Sequence, residues 1–287
     1  MHLITTTTAL QSKISEFKQT NQAIVLVPTM GALHDGHISL VKLAHSTGAK
    51  VFVSIFPNPA QFNEKKDFEA YPKTVEADCA LLDKVGTHCV FAPATPAEIY
   101  GDGFQSWVNV DQLSLPFEGA SRPGHFKGVA TVVAILFNLF RPDFATFGEK
   151  DFQQLRLVEQ MVNDLKISVK IIRAPIIREA GGLAMSSRNA RLSVDGKNTA
   201  LALSRGLRIA SDAFFGGERR GPFLRSLVLD MLATERNVGV DYVAVVDEET
   251  LKEVDRIEKP ARVLVAATVD GVRLIDNVSL AANSDRK

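Results

Sequence analysis

Two short apolar runs, residues 23–27 and 51–56, constrain the possible folds of this chain more than any other feature. Runs of this length without polar alternation are typical of strands buried on both faces, as in a parallel sheet. Between them, apolar residues recur at helical spacing from Leu40 to Ala44, and Gly48 ends the pattern. The three segments together predict one βαβ unit with a right-handed crossover.

The alternation of strand and helix patterns continues along the first part of the chain. Further helices and strands are predicted at residues 72–86, 88–92, 128–140, 144–147, 152–165 and 169–172. Alternation of this kind predicts a doubly wound, Rossmann-like parallel α/β sheet, which we assign to a domain over residues 1–180.

The pattern changes after residue 180. Two helical segments, residues 197–213 and 223–236, precede three β-rich runs at residues 241–246, 261–268 and 271–275. This order predicts a second, smaller α+β domain over residues 181–287. The glycine-containing stretch at residues 179–182 is suited to a hinge, so we expect the second domain to act as a lid.

Charge and apolar content exclude several classes of protein. Lys and Arg together number 33, as do Asp and Glu, and the resulting zero net charge argues against a general nucleic-acid binder. The longest uncharged apolar run, residues 128–140, is shorter than the ~20 residues that cross a bilayer. A secretory signal pattern is absent from the first residues. We therefore expect a cytoplasmic protein without nucleic-acid or membrane partners.

Residues 28–37, PTMGALHDGH, follow the first predicted strand and open a helix. Unpaired N–H groups and the positive dipole at a helix N-terminus favour phosphate, and Gly31 and Gly36 allow a ligand to approach the backbone. His34 and His37 share one side of the first turn and can donate hydrogen bonds to a nucleotide triphosphate. The alternatives are an ordinary pair of loop histidines or a zinc site. The spacing matches neither a P-loop nor a dinucleotide fingerprint.

Two further polar clusters supply cations. Residues 185–189, MSSRN, contain Arg188, whose planar guanidinium can bond two phosphate oxygens at once. Residues 147–154, FGEKDFQQ, contain Lys150 as a second cation and Asp151 as a candidate to hold a metal ion or a ribose hydroxyl. By themselves these segments are also compatible with a polar loop that caps a helix and with Asp151 as a helix N-cap.

A fourth cluster, residues 55–62, follows the second predicted strand. Its amides, Asn58 and Gln61, stand beside prolines that restrict the loop, and they can bind hydroxyl and carboxylate groups of a small substrate. An ordinary proline-stiffened loop is the alternative. Because three of the four clusters follow strands, and open α/β sheets bind ligands at the carboxyl ends of their strands, we expect the clusters to converge.

The combination of motifs resembles a known family. His34-x-Gly-His37, paired with residues 185–188, is similar to the HIGH and KMSKS motifs of the class I aminoacyl-tRNA synthetase-like nucleotidyltransferases. Within that superfamily, PTMGALHDGH, NPAQF, EGASRPGHFKG, FGEKDFQQL and MSSRN resemble the pantothenate synthetase (pantoate–β-alanine ligase) family. The resemblance extends from about residue 20 to about residue 280.

The resemblance implies an enzyme that uses ATP and Mg²⁺ to join pantoate and β-alanine through pantoyl adenylate, releasing AMP and pyrophosphate. It also implies a homodimer. Because the pantoate carboxylate is already ionised, we expect His37 to donate a hydrogen bond rather than to act as a base. Two rival interpretations are another HIGH-type nucleotidyltransferase and a non-catalytic RNA-binding module derived from a synthetase. The zero net charge disfavours the RNA-binding module.

The resemblance also implies roles for single residues but identifies no metal ligands. The residues expected to act in catalysis are His37, usually assigned the acid role, His34, Lys150 and Arg188. The nucleotide-binding positions are Met30, Gly31, His34, His37, Gly148, Glu149, Lys150, Asp151, Ile177, Met185, Ser186, Ser187 and Arg188. The substrate-binding positions are Gln61 and Gln154, which match pantoate-contacting glutamines, with Asn58, Tyr71 and Arg122. Two residues depart from the family pattern: Pro57 replaces an aliphatic residue, and Met185 replaces leucine.

Overall fold

The computed structural model describes residues 1–63 and 65–281, so the last residues of the predicted 181–287 domain lie outside the described part. The chain divides into two compact units. The first consists of Met1–Glu149 and Gln153–Pro175, and the second of Lys150–Phe152 with the described residues from Ile176 onward.

The first unit is built on a six-stranded sheet. Its strands are β1 (His2–Ile4), β2 (Ile24–Thr29), β3 (Lys50–Ile55), β4 (Cys89–Phe91), β5 (Phe144–Gly148) and β6 (Lys170–Ala174). Their order is β1-β4-β3-β2-β5-β6, and every neighbouring pair is parallel. The chain moves outward from β2 to β4 and then returns to place β5 on the other side of β2. The predicted doubly wound sheet is confirmed, and its switch point lies between β2 and β5.

Helices cover both faces of this sheet. They are α1 (Thr7–Gln19), α2 (Asp35–His45), α3 (Lys65–Glu69), α4 (Val75–Lys84), α5 (Ala97–Tyr100), α6 (Glu118–Ser121), α7 (His125–Phe140) and α8 (Phe152–Asp164). On β3, Val53 joins a core cluster with Val41 of α2, whereas Phe52 packs edge-on against Phe17 of α1 and Phe140 of α7. Burial on both sides explains why the central strands lack polar alternation.

The second unit contains two long helices and an antiparallel sheet. Its elements are α9 (Val194–Phe215), α10 (Gly221–Ala233), β7 (Val238–Asp247), β8 (Ala261–Val269) and β9 (Val272–Ser279), with strand order β7-β8-β9. Alternate residues of β8, such as Val263 and Val265, share a buried cluster with Leu203 of α9 and Leu224 of α10. This architecture confirms the predicted smaller α+β domain. In the described part of the chain, no helix combines the length and apolar character needed to span a membrane.

The structure differs from the sequence prediction in three places. No element was predicted before residue 23, yet β1 and α1 lie there; the apolar signal is weak because only Ile4 of β1 and Leu10 and Ile14 of α1 are buried. Residues 179–182, predicted as a flexible hinge, lie inside the second unit. They form a turn in which the N–H of Gly182 donates to the carbonyl of Glu179 at 2.8 Å, so they are not an open linker.

The third difference is that β2 continues through Pro28, which was predicted to close it. Pairing with β3 extends to Thr29, but pairing with β5 covers only Val25 and Leu26. The carbonyl of Ile24 accepts an N–H from Asp143, so the even-numbered residues of β2 direct their backbone groups toward β5. The missing N–H of Pro28 therefore falls where β5 has already diverged, and the sheet opens at the switch point.

Candidate active site

The loop after β2 is held by acceptor side chains of its own unit. The N–H groups of Ala32 and Leu33 donate to Asp78 Oδ2 and Oδ1 at 3.0 and 2.9 Å. The N–H of Gly31 donates to Thr29 Oγ1 at 3.3 Å. Gly31 has a φ of +88°, and a Cβ atom at this position would lie 3.1 Å from Asp78 Oδ2. Glycine is therefore required here by backbone conformation and by the packing of a carboxylate.

His34 and His37 cap the N-terminus of α2 through each other. The N–H of Gly36 donates to His34 Nδ1 at 3.1 Å, and the N–H of His34 donates to His37 Nδ1 at 3.3 Å. The two rings lie with their centroids 4.1 Å apart. Because Nδ1 is an acceptor in both rings, the neutral imidazoles carry their protons on Nε2. Each ring therefore presents an Nε2–H donor.

Side chains accept several of the backbone N–H groups at this helix end. The two histidines accept the N–H groups of His34 and Gly36, and Asp78 accepts those of Ala32 and Leu33. Phosphate binding by this loop stays a prediction, in which the imidazole side chains and the dipole of α2 both contribute.

Asn58 begins the turn at Pro59–Gln61 that follows β3. Its Nδ2 atom donates to Gln61 Oε1 at 3.0 Å and to the carbonyl of Gly128 at 3.1 Å, while Oδ1 accepts the N–H of Ala60 and the hydroxyl of Tyr100. Burial raises the pKa of Tyr100 to about 12, with the hydrogen bond to Asn58 opposing it, so Tyr100 is a donor at neutral pH. Asn58 was expected to contact substrate, but its buried amide is fully engaged within the protein.

Gln61 lies between the loop after β2 and the start of α7. Its Nε2 atom donates to Met30 Sδ at 2.9 Å. The backbone carbonyl of Gln61 accepts a hydrogen bond from Arg122 Nη2 at 3.1 Å and lies 2.8 Å from His125 Nδ1. Since a carbonyl only accepts, His125 carries its proton on Nδ1. Gln61 therefore contacts both Met30 and Arg122, which were also predicted to belong to the site.

Tyr71 connects the loop after β2 to Phe62, the residue that follows the Gln61 turn. Its hydroxyl donates to the carbonyl of Gly31 at 3.4 Å, and its ring packs edge-on against Phe62 at 5.6 Å between centroids. The predicted nucleotide and substrate residues Gly31 and Tyr71 thus lie together.

Gly128 allows α7 to approach the Gln61 turn closely. A Cβ atom on Gly128 would lie 2.3 Å from the carbonyl oxygen of Ala60 and 2.9 Å from the nitrogen of Gln61. Such distances are far below van der Waals contact, so only glycine fits. The position of Gln61 therefore depends on α7 as well as on its own prolines.

The two glutamines after β5 have different environments. Gln153 is buried and donates to the carbonyls of Leu113 and Pro116 at 2.8 Å, while its Oε1 atom accepts the N–H of Glu118. Gln154 is half-buried, and its amide makes no hydrogen bond with the side chains and backbone that the structure describes. β5 itself ends at Gly148, followed by Glu149, beside the switch point. Gln154 is therefore the glutamine that remains available to a ligand.

In the second unit, three of the predicted cationic and hydroxyl residues line one small cleft. Lys150, Ser186 and Arg188 share it with Arg273 and Asp276. The Nζ atom of Lys150 lies 3.9 Å from Asp151 Oδ2. The guanidinium of Arg188 is exposed and makes no hydrogen bond or ion pair in the described part of the chain. The cleft therefore brings three cationic side chains and a hydroxyl group together with the Asp276 carboxylate, which is paired with Arg178.

Buried polar contacts hold the loop that carries Arg188. Arg178 binds Asp276 through both nitrogens, at 2.6 and 3.0 Å. Asn189 Nδ2 donates to Glu179 Oε1 at 2.7 Å and to the carbonyl of Ala184 at 3.0 Å. These contacts hold the loop in place without using the side chain of Arg188.

The remaining residues of the MSSRN motif act through the backbone. The N–H of Met185 donates to the carbonyl of Ile177 at 2.9 Å, which brings two predicted nucleotide-binding residues together. The hydroxyl of Ser186 accepts the N–H of Arg188 at 3.2 Å, so Ser186 is a cap, whereas Ser187 is exposed. The alternative interpretation of this segment, a polar loop that caps a helix, thus describes its backbone. It leaves the side chain of Arg188 available.

Three buried residues that shape these loops were not predicted from the sequence. They are Asp78, His125 and Gln153. Asp78 and His125 contact partners more than forty residues away in the chain, so no local pattern marks them.

Comparison with known proteins identifies relatives over nearly the whole chain. The family model described as pantoate-beta-alanine ligase matches residues 2–279. The pantothenate synthetase of Thermotoga neapolitana is 45% identical over 280 residues, covering 98% of this chain and 100% of the relative.

Solved structures agree with the sequence relatives. The crystal structure of pantothenate synthetase from Thermus thermophilus superposes with a TM-score of 0.92 at 38% identity, covering 98% of this chain and all of the other. A pantoate-beta-alanine ligase from Francisella tularensis, complexed with beta-gamma ATP and beta-alanine, superposes with a TM-score of 0.79 at 32% identity, and 99% of each chain is covered.

Proposed function

We propose, from the premise that this chain belongs to the pantoate–β-alanine ligase family and joins pantoate to β-alanine, that its reaction passes through pantoyl adenylate. ATP is the co-substrate, and AMP and pyrophosphate are the products released. The bound ligands of the Francisella relative support ATP and β-alanine as substrates. The observation that carries the proposal is the mutual cap of His34 and His37, which fixes both rings as Nε2–H donors beside the switch point.

In the first step, a carboxylate oxygen of pantoate attacks the α-phosphorus of ATP, and the bond from that phosphorus to the pyrophosphate oxygen breaks. The nucleophile is already an anion, so no general base is needed. The two Nε2–H groups donate to phosphate oxygens as negative charge builds up. To release a proton from Nε2 at neutral pH, His37 would first have to be an imidazolium with a proton on Nδ1 as well. A proton on Nδ1 would face the backbone N–H that this atom accepts in the capping box. The capping box therefore favours hydrogen bonding over proton release by His37.

In the second step, the amine of β-alanine attacks the activated carbonyl carbon of pantoyl adenylate. The new C–N bond forms as the C–O bond to AMP breaks, and the nitrogen loses a proton. Acyl adenylates also react with water, so the site must exclude water until the amine arrives. We propose that the second unit, which contains the described part of the predicted 181–287 domain, acts as a lid for this purpose. Small-angle scattering that is identical with and without a non-hydrolysable adenylate mimic would contradict closure.

Pantoate is assigned to the glutamines. Gln61 is held by contacts with Asn58, Met30 and Arg122, and Gln154 keeps its amide available. Amide groups suit the hydroxyl and carboxylate groups of a small hydroxy acid. Asn58 then acts by holding Gln61, and Tyr71 and Arg122 form the surrounding wall. This assignment keeps every predicted substrate residue but gives Asn58 a positioning role.

Phosphate charge is assigned to Lys150 and Arg188, with Ser186, Ser187 and Asp151 beside them. The described residues include no group of three or more His, Cys, Asp or Glu side chains arranged to hold a metal ion. This donor set fits Mg²⁺ carried mainly by the ATP phosphates, with the Asp151 carboxylate 3.9 Å from Lys150 Nζ. Mg²⁺ would supply neutralisation of phosphate charge.

Product analysis tests the proposed pathway. The protein is mixed with ATP, Mg²⁺, β-alanine and pantoate whose carboxylate carries heavy oxygen. We expect AMP, pyrophosphate and pantothenate in equal amounts, with one heavy oxygen transferred to AMP. ADP and labelled phosphate would instead indicate an acyl phosphate and overturn the adenylate. Sedimentation of the same preparation tests the proposed homodimer, and fractionation of cells tests the proposed cytoplasmic location.

A further inference from the structure

Asp78 is a buried carboxylate on α4 that bonds a loop from a different part of the chain. The residue is 2% exposed, and its two carboxylate oxygens accept the N–H groups of Ala32 and Leu33 at 3.0 and 2.9 Å. The hydroxyl of Thr74 donates to Asp78 Oδ2 at 3.0 Å and accepts the same Ala32 N–H at 3.1 Å. Among the side chains that the structure describes, no lysine or arginine forms an ion pair with it. The loop therefore supplies most of the donors that a buried carboxylate requires.

The loop in turn depends on these acceptors. The N–H groups of four successive residues, 31 to 34, are all bonded to side chains, and Asp78 accepts two of the four. Ala32 has a φ of +51°, in the left-handed region that alanine rarely adopts. A backbone in this conformation persists only when its surroundings hold it. The two bonded residues directly precede His34, so Asp78 determines where the capping box begins.

Stabilisation of α4 alone does not account for the contacts that Asp78 makes with the loop. An acidic residue in the first turn of a helix interacts favourably with the helix dipole. The first turn of α4 also contains Glu76, which is exposed. Glu76 therefore provides the electrostatic effect without the loop contact, whereas the side chain of Asp78 makes that contact.

We infer that Asp78 is a positioning residue for the nucleotide: it holds residues 31–33 in the conformation that presents the imidazoles of His34 and His37 to the ATP phosphates. The inference rests on the proposed function, because it assigns those imidazoles to ATP. Asp78 itself touches the loop and not the substrate. Its loss should therefore affect the adenylation step and leave the capture of β-alanine intact.

Asp78→Asn tests the inference, because the amide replaces one accepting oxygen by a donor that faces an N–H or hydroxyl donor. In pantoate-dependent ATP–pyrophosphate exchange, we expect a raised KM for ATP and a kcat lowered by about 10- to 100-fold, as for small misplacements of catalytic groups. With synthetic pantoyl adenylate supplied, the KM for β-alanine should be unchanged. Thr74→Val should give a smaller loss, and Thr74→Ser should restore exchange.

Glu76→Gln is the matched control, since it removes a carboxylate from the same helical turn without touching the loop. Equal losses in Glu76→Gln and Asp78→Asn would attribute the effect to the helix dipole and overturn the inference. Wild-type exchange in both Asp78→Asn and Thr74→Val would also overturn it. If Asp78→Asn does not fold, the Thr74 pair decides alone. Absence of exchange in the wild-type enzyme would instead contradict the proposed function, so the two failures are distinguishable.

Discussion

The Nδ1 atom of His37 accepts the backbone N–H of His34 at 3.3 Å, while His34 Nδ1 caps Gly36. Each histidine thus uses one ring nitrogen to build the helix N-terminus and keeps the other as a donor. The capping contact determines the tautomer of both rings, and this tautomer is the one that the proposed hydrogen bonds to phosphate require.

His37→Ala should lower the rate of pantoate-dependent ATP–pyrophosphate exchange by about 10²–10³-fold, as for loss of a donor to developing charge. Loss of the cap should cost only about 1 kcal/mol of stability, so the fold should persist. His37→Gln is the control, because its amide can accept the His34 N–H and keeps a donor. Wild-type exchange by the alanine variant would refute the assignment.

Gly128→Ala should destabilise the protein by about 1–3 kcal/mol through overpacking against the carbonyl of Ala60. In an ordinary helix interior, the same change is stabilising by about 0.5–1 kcal/mol, so the two cases differ in sign. The Gln61 turn should shift, which raises the KM for pantoate. Thermal unfolding and steady-state kinetics measure both effects, and a higher Tm would show that the close approach is relaxed in solution.

Replacement of the adjacent Gln153 and Gln154 should affect different properties: stability for Gln153 and substrate binding for Gln154. Gln153→Ala removes three hydrogen bonds to residues 113–118, each worth about 1 kcal/mol, and should lower the Tm. Gln154→Ala should leave the Tm unchanged and raise the KM for pantoate. Each variant is the control for the other. A loss of stability confined to Gln154→Ala would contradict the assignment.

Stability should fall as the pH drops below about 6.5, the ordinary pKa of histidine, in part because of His88. Burial, with the charges of Lys50, His45 and the N-terminus, lowers the pKa of His88, whose Nδ1 atom accepts the N–H of Val51. Below the unfolded pKa, the unfolded chain binds a proton that the folded chain does not, so acid favours unfolding until the folded pKa is passed. His88→Asn keeps an acceptor and should flatten this part of the profile of urea midpoint against pH. An unchanged profile would exclude His88 as a contributor.

Removal of divalent metal should affect the reaction and not the fold. With EDTA present, ATP–pyrophosphate exchange should stop, because the phosphate charge is then uncompensated. The Tm of the protein without ATP should stay constant, since the described residues contain no three-ligand metal cluster. A large drop in Tm on chelation would indicate a metal bound by the protein itself.

The pattern of apolar residues was sufficient to predict the fold class. Strands buried on both faces and helices with one apolar stripe leave their periods in residues that are close in sequence, as in β3 and α2. The same periods located the loops at the strand ends and hence Met30, His34 and His37. The family resemblance added the substrate residues, and the family itself was confirmed by the matches.

Only the tertiary structure decided how these side chains are used. Asp78 and Ala32 are 46 residues apart, and Arg122 and Gln61 are 61 apart. Such contacts depend on which elements pack together, and local periodicity does not contain that information. The fold therefore assigned the backbone N–H groups of the loop to Asp78 and the histidines, and made Asn58 a support for Gln61. Buried hydrogen-bonding groups need partners, and the packed chain determines which partners they have.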